Sequence, residues 1–257
     1  MPYNFDSIAP TYDRLNHLLS FGRDYRWRHH ALYHIIHKAQ TQHILDVACG
    51  TGDMSLAMAR CANPQTHIEA VDISRPMLQV MDEKIRRAHL DDRIHTQQAD
   101  VTHLPFDDDT FDHVTVAFGV RNFQHPHHAL QEIYRVLQVG GKVVILELSM
   151  PKNILFRPLY RLYFCHIVPF IGGLISGDKA AYRYLPASVQ HFATPAKWCS
   201  TMRASGFHGV IAYSYTLGTC HLYVGRKLDP TDVHNQRQSP EVSRHNKAIF
   251  QHQHRHR

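Results

Sequence analysis

Between residues 43 and 149 the chain alternates short apolar runs with amphipathic stretches, and this alternation limits its fold more than any other feature. HILDV, HIEAVDIS (67–74), RIHTQQAD (93–100), FDHVTVAF (111–118) and KVVILELS (142–149) read as strands. MSLAMARCA, the stretch after Ser74 and HPHHALQEIYRVLQ read as helices. Strands interleaved with helices pack as βαβ units, so a parallel sheet with helices on both faces is expected. Ser74 suits a helix cap, because Met77, Leu78, Met81, Ile85 and Ala88 keep helical spacing behind it. Gly140-Gly141 is expected to end the helix before the fifth strand. FHGVIAYSY (207–215) and CHLYVGRK (220–227), turning around Gly218, supply two last strands.

On either side of this alternation the pattern changes. Residues 5–40 read as helical, with Trp27, Ala31 and Ile35, and Leu32, Ile36 and Ala39, at spacings of three and four. Residues 150–206, rich in Leu, Phe, Tyr and Ile, read as a mostly helical insertion over the carboxyl edge of the sheet. From about Leu228 the chain turns polar and is expected to be disordered. Its alternating histidines, HQHRHR, meet no carboxylate or cysteine partners, so no functional metal site is expected. The window LYFCHIVPFIGGLIS (162–176) reads as too short to span a bilayer, and MPYNFDSIAPTYDR has neither signal- nor transit-peptide character. Five cysteines without a CxxC pair suit a reducing compartment, and a cytoplasmic location is expected. The net charge of +6 sits mostly in the tail, where seven Lys/Arg stand against three Asp/Glu from Arg226 onward. The near-neutral remainder does not suggest a nucleic-acid partner.

The chemistry gathers at strand ends. In LDVACGTGD, Gly50 and Gly52 let the backbone pass close to a ligand before a helix start. Asp72 ends the second strand, where nucleotide-binding sheets hold ribose hydroxyls; a helix-capping or loop carboxylate is the plainer alternative. Ser55 stands where a dinucleotide site would have its third glycine, which counts against a dinucleotide. The fourth strand ends in FGVRN, delivering Arg121 and Asn122 to the strand tip.

The D-x-x-x-G-x-G turn, with Ala48 in place of a usual glycine, resembles the class I S-adenosylmethionine-dependent methyltransferases. FDSIAPTYDRLNHLLSFGRDYRWR (5–28), FGVRN, LPFDDDTFD (104–112), YRVLQVGGKVVILELSMPKN (134–153) and DKAAYRYLPASV (178–189) narrow it further. In order and spacing they resemble the ubiquinone/menaquinone biosynthesis C-methyltransferases over roughly residues 3–227. The resemblance implies an α/β, Rossmann-like sheet of seven strands, mostly parallel with the last antiparallel, and helices on both faces. It implies one domain over 1–227, with a helical cap (1–42) and the insertion (150–206) covering the substrate, followed by the tail 228–257. It implies S-adenosyl-L-methionine as co-substrate, held by Asp46, Gly50, Thr51, Gly52, Asp72, Asp100, Val101 and Ala117, without a required metal. Asp100, with the backbone of Val101, would hold the adenine amino group. Tyr12, Tyr182, Arg183 and Tyr184 would line the substrate pocket.

The implied reaction moves the sulfonium methyl to a ring carbon of a prenylated hydroquinol, demethylmenaquinol ahead of a ubiquinone-pathway benzoquinol. A carbon ortho to a hydroxyl becomes nucleophilic as that hydroxyl ionises, and a phenol near pKa 10 needs help at neutral pH. A fixed cation stabilises the phenolate and an amide holds its geometry, the roles Arg121 and Asn122 would fill. Guanidinium is always protonated, so the proton acceptor is instead water, His166 or another histidine. The plainer reading of Arg121 is an ion pair with Asp13 or Asp53. The insertion, apolar nearly all round between Ile154 and Ile167 with Arg157 and Arg161 one turn apart, suits a lid or a greasy tunnel touching a membrane surface. A homodimer stays open. The competing functions are a small-molecule O- or N-methyltransferase and a silent S-adenosylmethionine-binding subunit of a quinone-synthesis complex.

Overall fold

The computed structural model describes residues 5–229 and Thr231. Strands β1 (His43–Val47), β2 (His67–Asp72), β3 (Ile94–Gln98), β4 (Phe111–Ala117), β5 (Leu137–Leu148), β6 (His208–Tyr215) and β7 (Cys220–Arg226) form one sheet in the order β3-β2-β1-β4-β5-β7-β6. The first five run parallel, and β7 pairs antiparallel with both β5 and β6. The expected seven-stranded, mostly parallel sheet is therefore present.

Helices α1 (Tyr12–Leu19), α2 (Arg23–Leu32), α3 (Asp53–Cys61), α4 (Arg75–Ala88), α5 (Pro126–Val136), α6 (Phe156–Leu162), α7 (Val168–Ser176), α8 (Lys179–His191) and α9 (Pro195–Ala204) surround it. The Ser74 side chain accepts from the Met77 amide at 3.3 Å, capping α4 as its sequence implies. On one face Phe111, Ile133, Ile145, Trp198 and Phe207 share a core; on the other Trp27, Met58, Ile68, Met81 and Leu222 do. Two cores on one sheet are what apolar strand runs, rather than alternating ones, predict.

Three expectations change. The helical reading of 5–40 breaks at Gly22, whose φ of 68° starts a new helix, and α2 ends at Leu32 although Ile35 stays fully buried. Gly140-Gly141 lies within β5, not at a helix end. The β4–β5 register shifts there, and a Cβ on Gly141 would stand 2.7 Å from the Asp112 carbonyl. The window read as too short to span a bilayer belongs to a longer element. A wide turn, Tyr163–Ile167, joins α6 to α7 into a 21-residue helix, Phe156–Ser176, long and apolar enough to cross a membrane by length and composition. Pro169 follows directly on the Tyr163–Ile167 turn, whose wider winding accommodates the missing N–H, so it does not end the run. Most of the tail expected to be disordered lies outside the described residues.

Candidate active site

The strand register aligns the carboxyl ends of β1, β2 and β4, with Val47 beside Val71 and Val116. Ligands of open α/β sheets bind beyond such an edge. Here the chain turns tightly: Ala48 (φ 52°), Gly50 (φ 56°) and Gly52 (φ 83°) all take left-handed backbone. A side chain on Gly52 would meet Met81 Cγ at 2.5 Å, so both conformation and space require glycine. Ala48 bears the same left-handed geometry with a Cβ, at some cost in strain. Gly119 matches it from above, since a Cβ there would lie 2.7 Å from the Ala48 Cβ.

Asp46 is fully buried beneath this turn and accepts from Ser55 Oγ at 2.5 Å and Thr115 Oγ1 at 2.7 Å. Burial raises its pKa to about 6 against the opposing pull of those two hydroxyls. Asp72 accepts from the Gly50 amide and the Ser74 amide, both at 2.8 Å, and burial raises its pKa despite those bonds. Asp100 is exposed and holds the Thr102 amide and hydroxyl at 2.8 Å each; the amide bond foremost keeps its carboxyl below the usual range. Thr51 donates its hydroxyl to Asp13, tying the glycine turn to α1.

Asp46 makes a pH prediction. Its folded carboxyl keeps a proton to about pH 6, whereas an unfolded one loses it near pH 4. The native state therefore binds more protons between those values, and stability falls as pH rises across them, by up to about 3 kcal/mol. Asp46→Asn should flatten that part of the curve in denaturant titrations at a series of pH values. An unchanged slope would assign it to other groups.

Two cavities open on this edge. One, of about 490 Å3, is walled by Asp46, Gly50, Thr51, Asp72, Asp100, Val101, Ala117 and Asn122, among others. Eight of the expected co-substrate and catalytic residues thus meet on one wall, while Gly52 supports the turn from behind. The other cavity, of about 400 Å3, is predominantly apolar and is walled by Arg121, Trp27, Leu148, Phe156, Tyr160 and Phe164, among others. Tyr12, Arg28 and Phe118 line both, so the cavities adjoin at these three side chains.

Arg121 sits in the short 3-10 turn Val120–Asn122 beyond β4, its side chain almost wholly buried. It pairs with the buried Glu147 through Nη1 at 2.7 Å, its own amide reaches the other Glu147 oxygen at 3.1 Å, and Nη1 also donates to the Phe118 carbonyl. The partner is thus neither Asp13 nor Asp53, which bind Lys84 at 2.7 and 2.6 Å. Burial opposes the charge on Arg121, but Glu147, Tyr12 and Tyr184 together raise the pKa. Its Nε is buried without a hydrogen-bond partner. Asn122 accepts from the Tyr184 hydroxyl at 3.0 Å. Tyr12 is buried enough to raise its pKa, an effect that Arg121 and the hydrogen bond to Asn16 reduce.

Other expected residues stay apart. Tyr182 is buried against Gly172 and Arg183 is exposed; neither they nor the exposed His166 line either cavity. Sequence reasoning passed over Glu147 and Arg28. A lone acid in the apolar run KVVILEL was the signal for the first, and the arginine beside Trp27 for the second. His17, Asp24 and Asp53 place ligand-type atoms within 4.8 Å of one another, but their carboxylates are engaged by Arg28 and Lys84.

A glycine turn flanked by acids at this edge of such a sheet is the form of a nucleoside-binding site. Solved structures share the fold: the [4+2]-cyclase SpnF has a TM-score of 0.64 at 17% identity, covering 87% of this chain and 94% of its own. A SAM-dependent methyltransferase from Aquifex aeolicus has a TM-score of 0.57 at 14% identity, covering 78% and 89%. Residues 3–227 match the family model described as the ubiE/COQ5 methyltransferase family, and the chain belongs to that family. It is 43% identical over 223 residues to the ubiquinone/menaquinone biosynthesis C-methyltransferase UbiE of Geotalea daltonii, covering 87% of this chain and 94% of that relative. It is 45% identical over 222 residues to the demethylmenaquinone methyltransferase of Thermus thermophilus, covering 86% and 98%.

Proposed function

We propose that this chain is an S-adenosylmethionine-dependent C-methyltransferase of quinone biosynthesis that converts demethylmenaquinol to menaquinol. The observation that carries the reading is the junction of a nucleoside-sized polar cavity with an apolar one at Tyr12, Arg28 and Phe118. Such a junction suits in-line transfer of a methyl group from a nucleoside to a greasy aromatic ring. The co-substrate supplies a sulfonium methyl, already electrophilic, so the step calls for no metal. The quinol hydroxyl first gives its proton to water. As the ring carbon bonds to the methyl, the carbon–sulfur electrons stay with sulfur as a neutral thioether. The ring carbon then releases its proton to water while the oxygen takes one back. The guanidinium of Arg121, which lines the apolar cavity, is suited to stabilise the phenolate oxygen. Its pairing with Glu147 leaves a fixed dipole rather than a free cation, and the fixed orientation costs no rearrangement during reaction. Asn122, its carbonyl held by Tyr184, has an amide N–H2 left for the reacting partners.

The test is to incubate the protein with labelled S-adenosylmethionine and reduced demethylmenaquinone of varied prenyl length. Labelled menaquinone is expected. Binding of the nucleoside without transfer would favour the silent-subunit reading instead.

A lipid surface is the proposed source of substrate. The α6–α7 helix walls the apolar cavity with Phe156, Tyr160, Phe164 and Val168, while Leu155 (86%), Leu174 (75%) and Phe170 (73%) stand exposed. No Asp or Glu occurs from 148 to 177, whereas Lys152, Arg157 and Arg161 do. An apolar face edged only by cations suits anionic headgroups. Leu155→Glu with Phe170→Glu should lower flotation with anionic vesicles and turnover of long-chain quinol, sparing a short-chain quinol in solution. Unchanged flotation with a concentration-dependent shift in sedimentation would make the face a homodimer contact.

A further inference from the structure

We infer that Arg28 is the carboxylate-binding residue of the polar cavity, its guanidinium receiving the α-carboxylate at the amino-acid end of the co-substrate. This rests on the reading of that cavity as an S-adenosylmethionine site, and goes beyond it by assigning the one anionic group of the ligand.

The charges on the wall make the first argument. Among the described residues lining the cavity stand Asp6, Asp46, Asp53, Asp72 and Asp100, and a single Lys or Arg, Arg28. The ligand carries a sulfonium, an ammonium and ribose hydroxyls, all suited to carboxylates. Its carboxylate needs a cation, and a desolvated carboxylate without one is expensive.

The state of Arg28 makes the second. The residue is 7% exposed, its Nη1 donates to Asp24 at 2.5 Å, and Nη2 stands 3.5 Å from Asp53. Its Nε is buried with no hydrogen-bond partner. Buried N–H groups are normally paired, and those on a charged group are the costliest to leave over. Asp24 is itself held by Ser20 at 2.5 Å and His17 at 2.6 Å, and the guanidinium lies 5.1 Å from the centre of the Phe118 ring. The cation is therefore positioned before any ligand arrives.

Its location makes the third. Asp72 ends β2 and Asp100 follows β3, while Asp53 opens α3 beyond the glycine turn after β1. A nucleoside held at the former pair and crossing Gly50 brings its amino-acid end to Asp53 and Arg28. Lys84 already pairs with one Asp53 oxygen at 2.6 Å, so that acid does not neutralise Arg28, which keeps charge for a carboxylate.

The test is calorimetric titration with S-adenosylhomocysteine and with its decarboxylated counterpart, which keeps the amine. Wild type should prefer the carboxylate-bearing ligand by about 10- to 100-fold, the range of one or two charge-assisted hydrogen bonds. Arg28→Met should bring the two affinities within about threefold by weakening only the carboxylate-bearing ligand. Arg28→Lys should fall between, because an ammonium keeps the charge and loses the fork. A preference retained in Arg28→Met, or absent in wild type, overturns the inference. So does a rise confined to the quinol KM, which would assign Arg28 to the apolar cavity. Should the Met variant not fold, the wild-type preference and the Lys variant decide. Tight, carboxylate-dependent binding without methyl transfer would sink the proposed reaction alone and leave this assignment standing.

Discussion

Replacing Arg121 by methionine is expected to cut methyl transfer at least about a hundredfold while S-adenosylhomocysteine binds nearly as to wild type. Arg121 lines the apolar cavity and not the polar one, so the two readouts separate. The variant also strands Glu147, which is fully buried and pairs with Arg121 at 2.7 Å. Breaking a buried pair from one side costs about 3–5 kcal/mol, enough to confuse lost activity with lost folding. The double change Arg121→Met with Glu147→Gln removes the stranded charge and should recover much of the stability. Turnover that recovers along with stability would make Arg121 a structural ion pair. Turnover that stays low in a stable double variant assigns it to the reaction.

Asp72→Ala is expected to weaken S-adenosylhomocysteine binding about a hundredfold or more, measured by calorimetry. A carboxylate gripping ribose hydroxyls makes charge-assisted hydrogen bonds worth about 1.5–3 kcal/mol each. The same carboxylate also receives the Gly50 and Ser74 amides at 2.8 Å, so its loss loosens the turn under the ligand. Asp72→Asn keeps an acceptor for the turn and should lie between. Because burial raises the Asp72 pKa, affinity should fall with acidification at a higher pH than an ordinary aspartate would give. A loss below about threefold in the alanine variant would return Asp72 to a purely structural role.

Much of the site was legible because its parts are local. LDVACGTGD specifies a strand, a left-handed turn and a helix start within nine residues, and HIEAVD ends a strand on its acid. Side-chain alternation and glycine need no distant partner to be read. DKAAYRYLPASV was less legible: three adjacent residues, Tyr182, Arg183 and Tyr184, point to different faces of α8, and the site contact made is by Tyr184 to Asn122. A helix turning about 100° per residue separates neighbours that the sequence presents together. The π-type turn at Tyr163–Ile167 was hidden for a similar reason, since the window 162–176 read alone does not show that it continues a helix begun at Phe156.

By itself the sequence determined the strand–helix alternation, the glycine and acid crest, and a lone guanidinium and amide at the tip of the fourth strand. Only the tertiary structure decided what those groups face. Arg121 and Glu147 are 26 residues apart and meet because β4 and β5 run parallel in a register that pairs Ala117 with Leu146. Arg28 comes to the glycine turn from a helix outside the sheet, held at Asp24 and beside Asp53. Charges near one another in a chain interact whatever the fold, but a buried ion pair needs two distant segments desolvated together. That condition is a property of packing, and it is where the junction of the two cavities is made.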